Sequence, residues 1–219
     1  MIHAYDEQYL EDAMRNLGEA FDYAANTCRI EMDDFLDLFI AGGIADQFGS
    51  GVPKFVSGMS GTELVWEVME RSGYERELPE SEVDYDCSPE YWCGWILAYY
   101  QWYTGRSFRN IRQYISMGDI WKLYPTLHEA AEDKFVDTVN RMLRRNGAPT
   151  QLQILRKSIG YSQKTLAEKS GVTLRMIQQY EQRAKDINKA TGVNLIALAR
   201  TLGCKVEDLL EQSVQDKKI

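Results

Sequence analysis

Four residues near the carboxyl end of the 219-residue chain, Leu174, Arg175, Gln178 and Gln179, recur at the spacing that puts side chains on one face of an α-helix. A forked guanidinium and two carboxamides on such a face carry the donors and acceptors that match the exposed edges of guanine and adenine. A helix presents them only if its other side is held. Ile177 and Tyr180, three apart, would point back toward Leu166 and Val172 in the segment before. Thr173 is placed to cap this helix, Gly171 to supply a left-handed turn, and Ser162 to cap a preceding helix that begins at Gln163. Ala167 is small where the two helices must come close.

A surface for bases must also tolerate phosphates, and the chain as a whole is acidic, with a formal net charge of −8. The charge is segregated. Residues 1–147 hold 13 Lys and Arg against 26 Asp and Glu, whereas residues 148–219 hold 12 against 7, and within 151–206 the ratio is 10 to 3. Attraction to a polyanion is set by the field within a Debye length of about 8 Å, so the local excess decides and the chain total does not.

The stretch "SQKTLAEKSGVTLRMIQQYE" (162–181) resembles the helix-turn-helix of the Cro/C1-type, phage-repressor-like family, over residues 151 to about 212. The marks that carry the resemblance are Gln163, Ala167, Gly171, Val172, Thr173, Ile177 and Glu181, with "NLIALARTLG" and "KVEDLLE" similar to the fourth and fifth helices of that five-helix domain. By position, the resemblance implies phosphate contacts at Gln163 and Thr173 beside helix amino termini, and at Arg183 and Lys185 in the loop that follows. It implies that Leu174, Arg175, Gln178 and Gln179 face bases. Two positions depart from the pattern: Leu174 is apolar where a hydrogen-bonding group is usual, suiting a thymine methyl or no readout at all, and Ser170 is polar where an apolar residue is common. The competing reading of the segment is a helical hairpin that packs on something other than DNA.

A boundary falls at Asn146-Gly147-Ala148-Pro149, where the helical pattern stops and the charge changes sign; Thr150-x-x-Gln153 then has the form of a capping box. Before it, helical period or caps mark residues 5–26, 31–41, the segment opened by Ser60-x-x-Glu63, an aromatic segment from Ser88-Pro89 to about Tyr103, and a last helix opened by Thr126-x-x-Glu129. The aromatic segment, "YWCGWILAYYQWY", is apolar nearly all round and belongs at the centre of a core, although Trp92, Trp95 and Tyr99 along one side are candidates to grip a ligand or partner. The glycine-rich run 42–61 lacks phosphate-loop spacing and reads as a flexible connector or a loop ordered by a partner. The acidic stretch 73–86 reads as a solvated loop.

Other classes find little support. His128 with Glu129, Asp133 and Asp137 approaches an acid–base set, but the cap at Thr126 accounts for the glutamate and no serine or cysteine nucleophile is near. Four cysteines without a C-x-x-C pair and two histidines give no metal spacing; the thiols are expected to be reduced and mostly buried. No cofactor, catalytic or metal site is expected. Acids near the amino terminus and the lack of a long apolar run point to a cytoplasmic protein without a membrane partner.

The expectation is therefore an all-α chain: residues 1–146 an acidic effector or partner-binding domain, residues 150–212 a DNA-binding domain. The resemblance implies a transcriptional regulator, a repressor acting as a homodimer on an operator. The arrangement is also similar to antitoxin-type regulators, whose extra domain covers a toxin, ADP-ribosyltransferase-like ones included, while the helix-turn-helix represses the shared operon. An enzyme in residues 1–147 that regulates its own expression is the third alternative.

Overall fold

A computed structural model describes residues 3–74, 78–80 and 87–211, which divide into two compact units, 3–146 and 147–211. Among the described residues every regular element is helical, and no helix is long and apolar enough to cross a membrane. The first unit contains α1 (Leu10–Asp22), α2 (Met32–Ala41), α3 (Ile44–Gly49), α4 (Pro53–Val56), α5 (Gly61–Arg71), α6 (Pro89–Thr104), α7 (Phe108–Arg112), α8 (Met117–Trp121), α9 (Tyr124–Leu127) and α10 (Glu132–Arg145). In the second are α11 (Gln151–Ser158), α12 (Gln163–Ser170), α13 (Leu174–Glu181) and α14 (Gly192–Leu202).

α1 and α6 form the centre of the first unit, and glycines decide how closely they pack. A Cβ on Gly94 would lie 2.3 Å from the carbonyl oxygen of Leu17, and one on Gly18 would meet the Tyr91 ring at 3.0 Å. Only hydrogen fits at position 94. The amino end of α5 presses on α1 in the same way, since a Cβ on Gly61 would stand 2.3 Å from the Glu19 side chain. Around this pair, Phe21, Phe35, Phe39, Phe48 and Phe108 are fully buried, with edge-on contacts such as Phe21–Phe35 at 5.1 Å and Phe39–Phe108 at 5.4 Å.

Several local expectations are corrected. The glycine-rich run 42–61 is no flexible connector: it folds into α3 and α4 and buries Phe48, Phe55 and Val56. Its glycines make left-handed turns at Gly43 and Gly51, and the apolar residues between them reach the core. Buried polar groups fasten the run, with Asn16 Nδ2 donating to Val56 O at 3.0 Å and Gln101 Nε2 to Gly49 O at 3.1 Å. The last helix of this unit is not opened by Thr126, whose hydroxyl donates to Leu123 O within the short α9; α10 starts at Glu132 with two acids in its first turn. The first helical segment begins as a 3₁₀ turn at Glu7–Tyr9 and ends in a π turn at Tyr23–Thr27. Of the four thiols only Cys93 is fully buried, and Cys87 is exposed. Positions 75–77 and 81–86 of the acidic stretch lie outside the described residues.

The second unit has a small core built from Leu152, Leu166, Val172, Ile177, Tyr180, Ile187, Leu198, Ala199, Leu202 and Leu209. The segment expected as a fifth helix is, among the described residues, a single 3₁₀ turn at Glu207–Leu209 that sets Leu209 into this core.

Candidate nucleic-acid interface

Each end of the α12–α13 pair is fixed by a hydrogen bond the sequence supplies. Ser162 Oγ accepts from Thr165 N at 3.0 Å and Thr173 Oγ1 from Met176 N at 3.3 Å, so both helices start on a capping hydroxyl. Between them Gly171, at φ +73°, closes α12 by donating to Ala167 O. Ser170, a departure from the family pattern, has a structural task. Its hydroxyl donates to Leu166 O at 2.7 Å and accepts from Val172 N at 3.2 Å, satisfying backbone groups on both sides of the turn.

Beneath the pair lies an ion pair that the sequence reading missed. Arg156, in the last turn of α11, meets Glu181 two-pronged, with Nε–Oε1 at 2.6 Å and Nη2–Oε2 at 2.9 Å. Both side chains are nearly sealed, 9% and 2% exposed. Nη1 donates to Tyr161 O at 2.6 Å, and Gln163 Nε2 donates to Glu181 Oε2 at 2.8 Å. These bonds occupy the carboxylate and push the Arg156 guanidinium above its ordinary range, chiefly through the hydrogen bonds to Glu181. Position 181 was visible as a family mark; its partner was not, because an arginine in the last turn of a helix also suits the helix dipole.

With Ile177, Tyr180 and Glu181 turned inward, α13 leaves its other face free. Arg175 is exposed, Leu174 is 38% exposed, and Gln178 and Gln179 are half-buried. Among the described residues no hydrogen bond or ion pair engages the side chains of Arg175, Gln178 or Gln179. Lys185, in the loop after α13, is exposed, its ammonium 3.5 Å from Met176 Sδ on that helix.

Two residues carried over as phosphate contacts are engaged inside the unit. The Gln163 amide nitrogen is committed to Glu181, and the Arg183 guanidinium donates to Ala148 O at 2.9 Å and stands 3.5 Å from the Glu211 carboxylate. Arg183 itself adopts φ +57°, a left-handed position, directly after the C-cap of α13. Glu211 also accepts from Gln151 N at 2.7 Å, and its backbone exchanges hydrogen bonds with the Asn188 side chain. Neither partner of Arg183 is legible from local spacing, because both are more than 25 residues away in sequence.

Residues 152–209 match a family model described as helix-turn-helix. This segment is a Cro/C1-type helix-turn-helix domain. The match begins and ends on Leu152 and Leu209, both buried in the core of the unit. The match supports a DNA-binding regulator. No curated protein and no solved structure matches the chain.

The candidate contacts in the first unit are distributed differently. Trp92 is buried, edge-on to Tyr124 and Phe135 at 5.6 Å each. Trp95 and Tyr99 are half-buried; Tyr99 stacks on Tyr103 at 5.8 Å, and burial, with Asp133 and Glu132 nearby, pushes its hydroxyl up to about 12. His128 stacks on Tyr124 at 4.5 Å with Nδ1 2.8 Å from Tyr124 O, while the Glu129 side chain, 3.7 Å from Nε2, is exposed. That geometry gives His128 a packing role at the end of α9.

Proposed function

We propose that the protein is a sequence-specific repressor that binds its operator as a two-fold dimer, with α13 of each copy in successive major grooves about 34 Å apart. The carrying observation is the free face of α13: Arg175, Gln178 and Gln179 are held at helical spacing by a capped, well-buried helix, with no partner of their own among the described residues. Arg175 suits the O6 and N7 edge of guanine, the glutamines the N6 and N7 edge of adenine, and Leu174 a thymine methyl. Thr173 and Lys185 serve the backbone. Residues 3–146 act as the effector domain, whose occupancy alters the spacing of the two reading helices. Footprinting of the purified chain on the DNA upstream of its own gene tests this, and an unprotected region would count against it.

A second reading has the charge of residues 1–147 in its favour: 26 acids against 13 bases suit a basic protein partner, as in a toxin-neutralising regulator. Footprinting with and without the product of the adjacent gene separates the two, because a neutralised partner co-purifies with the chain and shifts its footprint.

A further inference from the structure

The turn that follows α13 is held by residues of its own unit that lie beyond both ends of the matched segment 152–209. Arg183 and Asn188 bracket the turn, and both are tied to Glu211. The Arg183 guanidinium stands 3.5 Å from the Glu211 carboxylate, while Asn188 Oδ1 accepts from Glu211 N at 2.9 Å and Asn188 Nδ2 donates to Glu211 O. Glu211 is fixed in turn, because its Oε1 accepts from Gln151 N at 2.7 Å at the start of α11. Arg183 Nη1 also donates to Ala148 O at 2.9 Å. Between the two anchored positions, Ala184, Lys185 and Asp186 are exposed. The backbone shows the same constraint: Arg183 holds φ +57°, where a Cβ crowds the next carbonyl, and such a conformation persists only when its surroundings impose it.

We propose that Arg183 and Glu211 are positioning residues for DNA binding: together they hold this turn in the pose that carries the Lys185 ammonium to a phosphate, and neither touches the duplex. The proposal rests on the DNA-binding reading above and replaces the phosphate contact that the family resemblance implies for Arg183. A lysine is a point charge on a flexible stem, so what it reaches depends on where its backbone is held. Charge alone predicts the opposite behaviour. If Glu211 only added negative charge, or only kept Arg183 from a phosphate, its removal would tighten binding and steepen the salt dependence. If it positions the turn, its removal loosens the Lys185 contact.

The test uses the full chain and a duplex that the wild-type chain selects from a random-sequence pool, titrated over a potassium chloride series. Glu211→Gln keeps an oxygen for Gln151 N but loses the charge that faces Arg183. It is expected to weaken binding near 0.1 M salt about 10-fold and to lower the slope of log K against log salt by about 1, as the loss of one phosphate contact would. Arg183→Gly, which removes the guanidinium but leaves the left-handed backbone accessible, should do the same, and in a Lys185→Ala background neither change should lower the slope further. Tighter binding or an unchanged slope in Glu211→Gln overturns the proposal, and a lowered melting temperature beside an unchanged slope would leave the pair a purely structural role. Slope losses that add to that of Lys185→Ala overturn it as well. If Lys185→Ala lowers the slope and Glu211→Gln does not, only the positioning role fails; if the wild-type chain selects no duplex, both readings fail together.

Discussion

α6 and α13 start alike and are used oppositely. Each opens on a capping hydroxyl, Ser88 for α6 and Thr173 for α13, and each carries groups that could recognise a ligand. Yet α6 buries Trp92, Cys93, Ile96, Leu97, Tyr100, Trp102 and Tyr103 around its circumference, while α13 buries only Ile177, Tyr180 and Glu181. A side chain consumed by the core cannot read anything outside it. Rich chemistry on a helix is available to a ligand only where the domain leaves one face unsatisfied, and here the shorter, less aromatic helix keeps such a face.

The two units also solve close packing differently, one with glycine contacts and the other with a buried ion pair. All five tryptophans lie in residues 1–146, so their fluorescence reports the first unit, whereas far-ultraviolet circular dichroism reports both. The largest effect is expected from Glu181→Ala, which strands the Arg156 guanidinium without its partner and should cost about 3–5 kcal/mol. Denaturant unfolding should show it in the circular dichroism but not in the tryptophan signal, and joint replacement by Arg156→Met and Glu181→Leu should recover most of the loss. Gly94→Ala acts on the first unit and should shift the tryptophan signal along with part of the circular dichroism. Its Cβ at 2.3 Å from Leu17 O forces α1 and α6 apart, and a cost of about 1–3 kcal/mol should appear in the tryptophan transition. A shift of the tryptophan transition by Glu181→Ala would show instead that the units unfold as one.

Smaller effects are expected on the DNA side. Arg175→Ala should weaken binding to a selected duplex by about 1–3 kcal/mol and relax the base preference under it, while random DNA is bound nearly as before. Lys185→Ala should weaken both equally and lower the salt slope by about 1, the least of these changes. Equal losses on selected and random DNA for Arg175→Ala would remove direct base readout from α13.

Much of the second unit was legible because its signals are local. Capping hydroxyls, the turn glycine at Gly171, and inward residues three apart act over a few positions, where spacing fixes geometry. Arg156, Arg183 and Asn188 were not legible in their actual tasks, because each finds its partner more than 20 residues away. In the first unit the glycine-rich run misled for a related reason. Its composition is that of a flexible segment, and only the contacts of Phe48, Phe55 and Val56 with the rest of the core reveal that it is packed.

The sequence by itself determined that the chain is helical, that its charge divides near residue 147, and which four side chains share a face of α13, since period and composition are properties of neighbours in the chain. Tertiary structure decided which of the charged and aromatic groups are still available. Arg183 and Gln163 are committed to carbonyl and carboxylate oxygens inside their unit and Trp92 to other rings, whereas Arg175 and the arginines at the end of α10 are left to solvent. Availability depends on which groups meet across the fold, where a buried polar atom must find a partner and an exposed one need not.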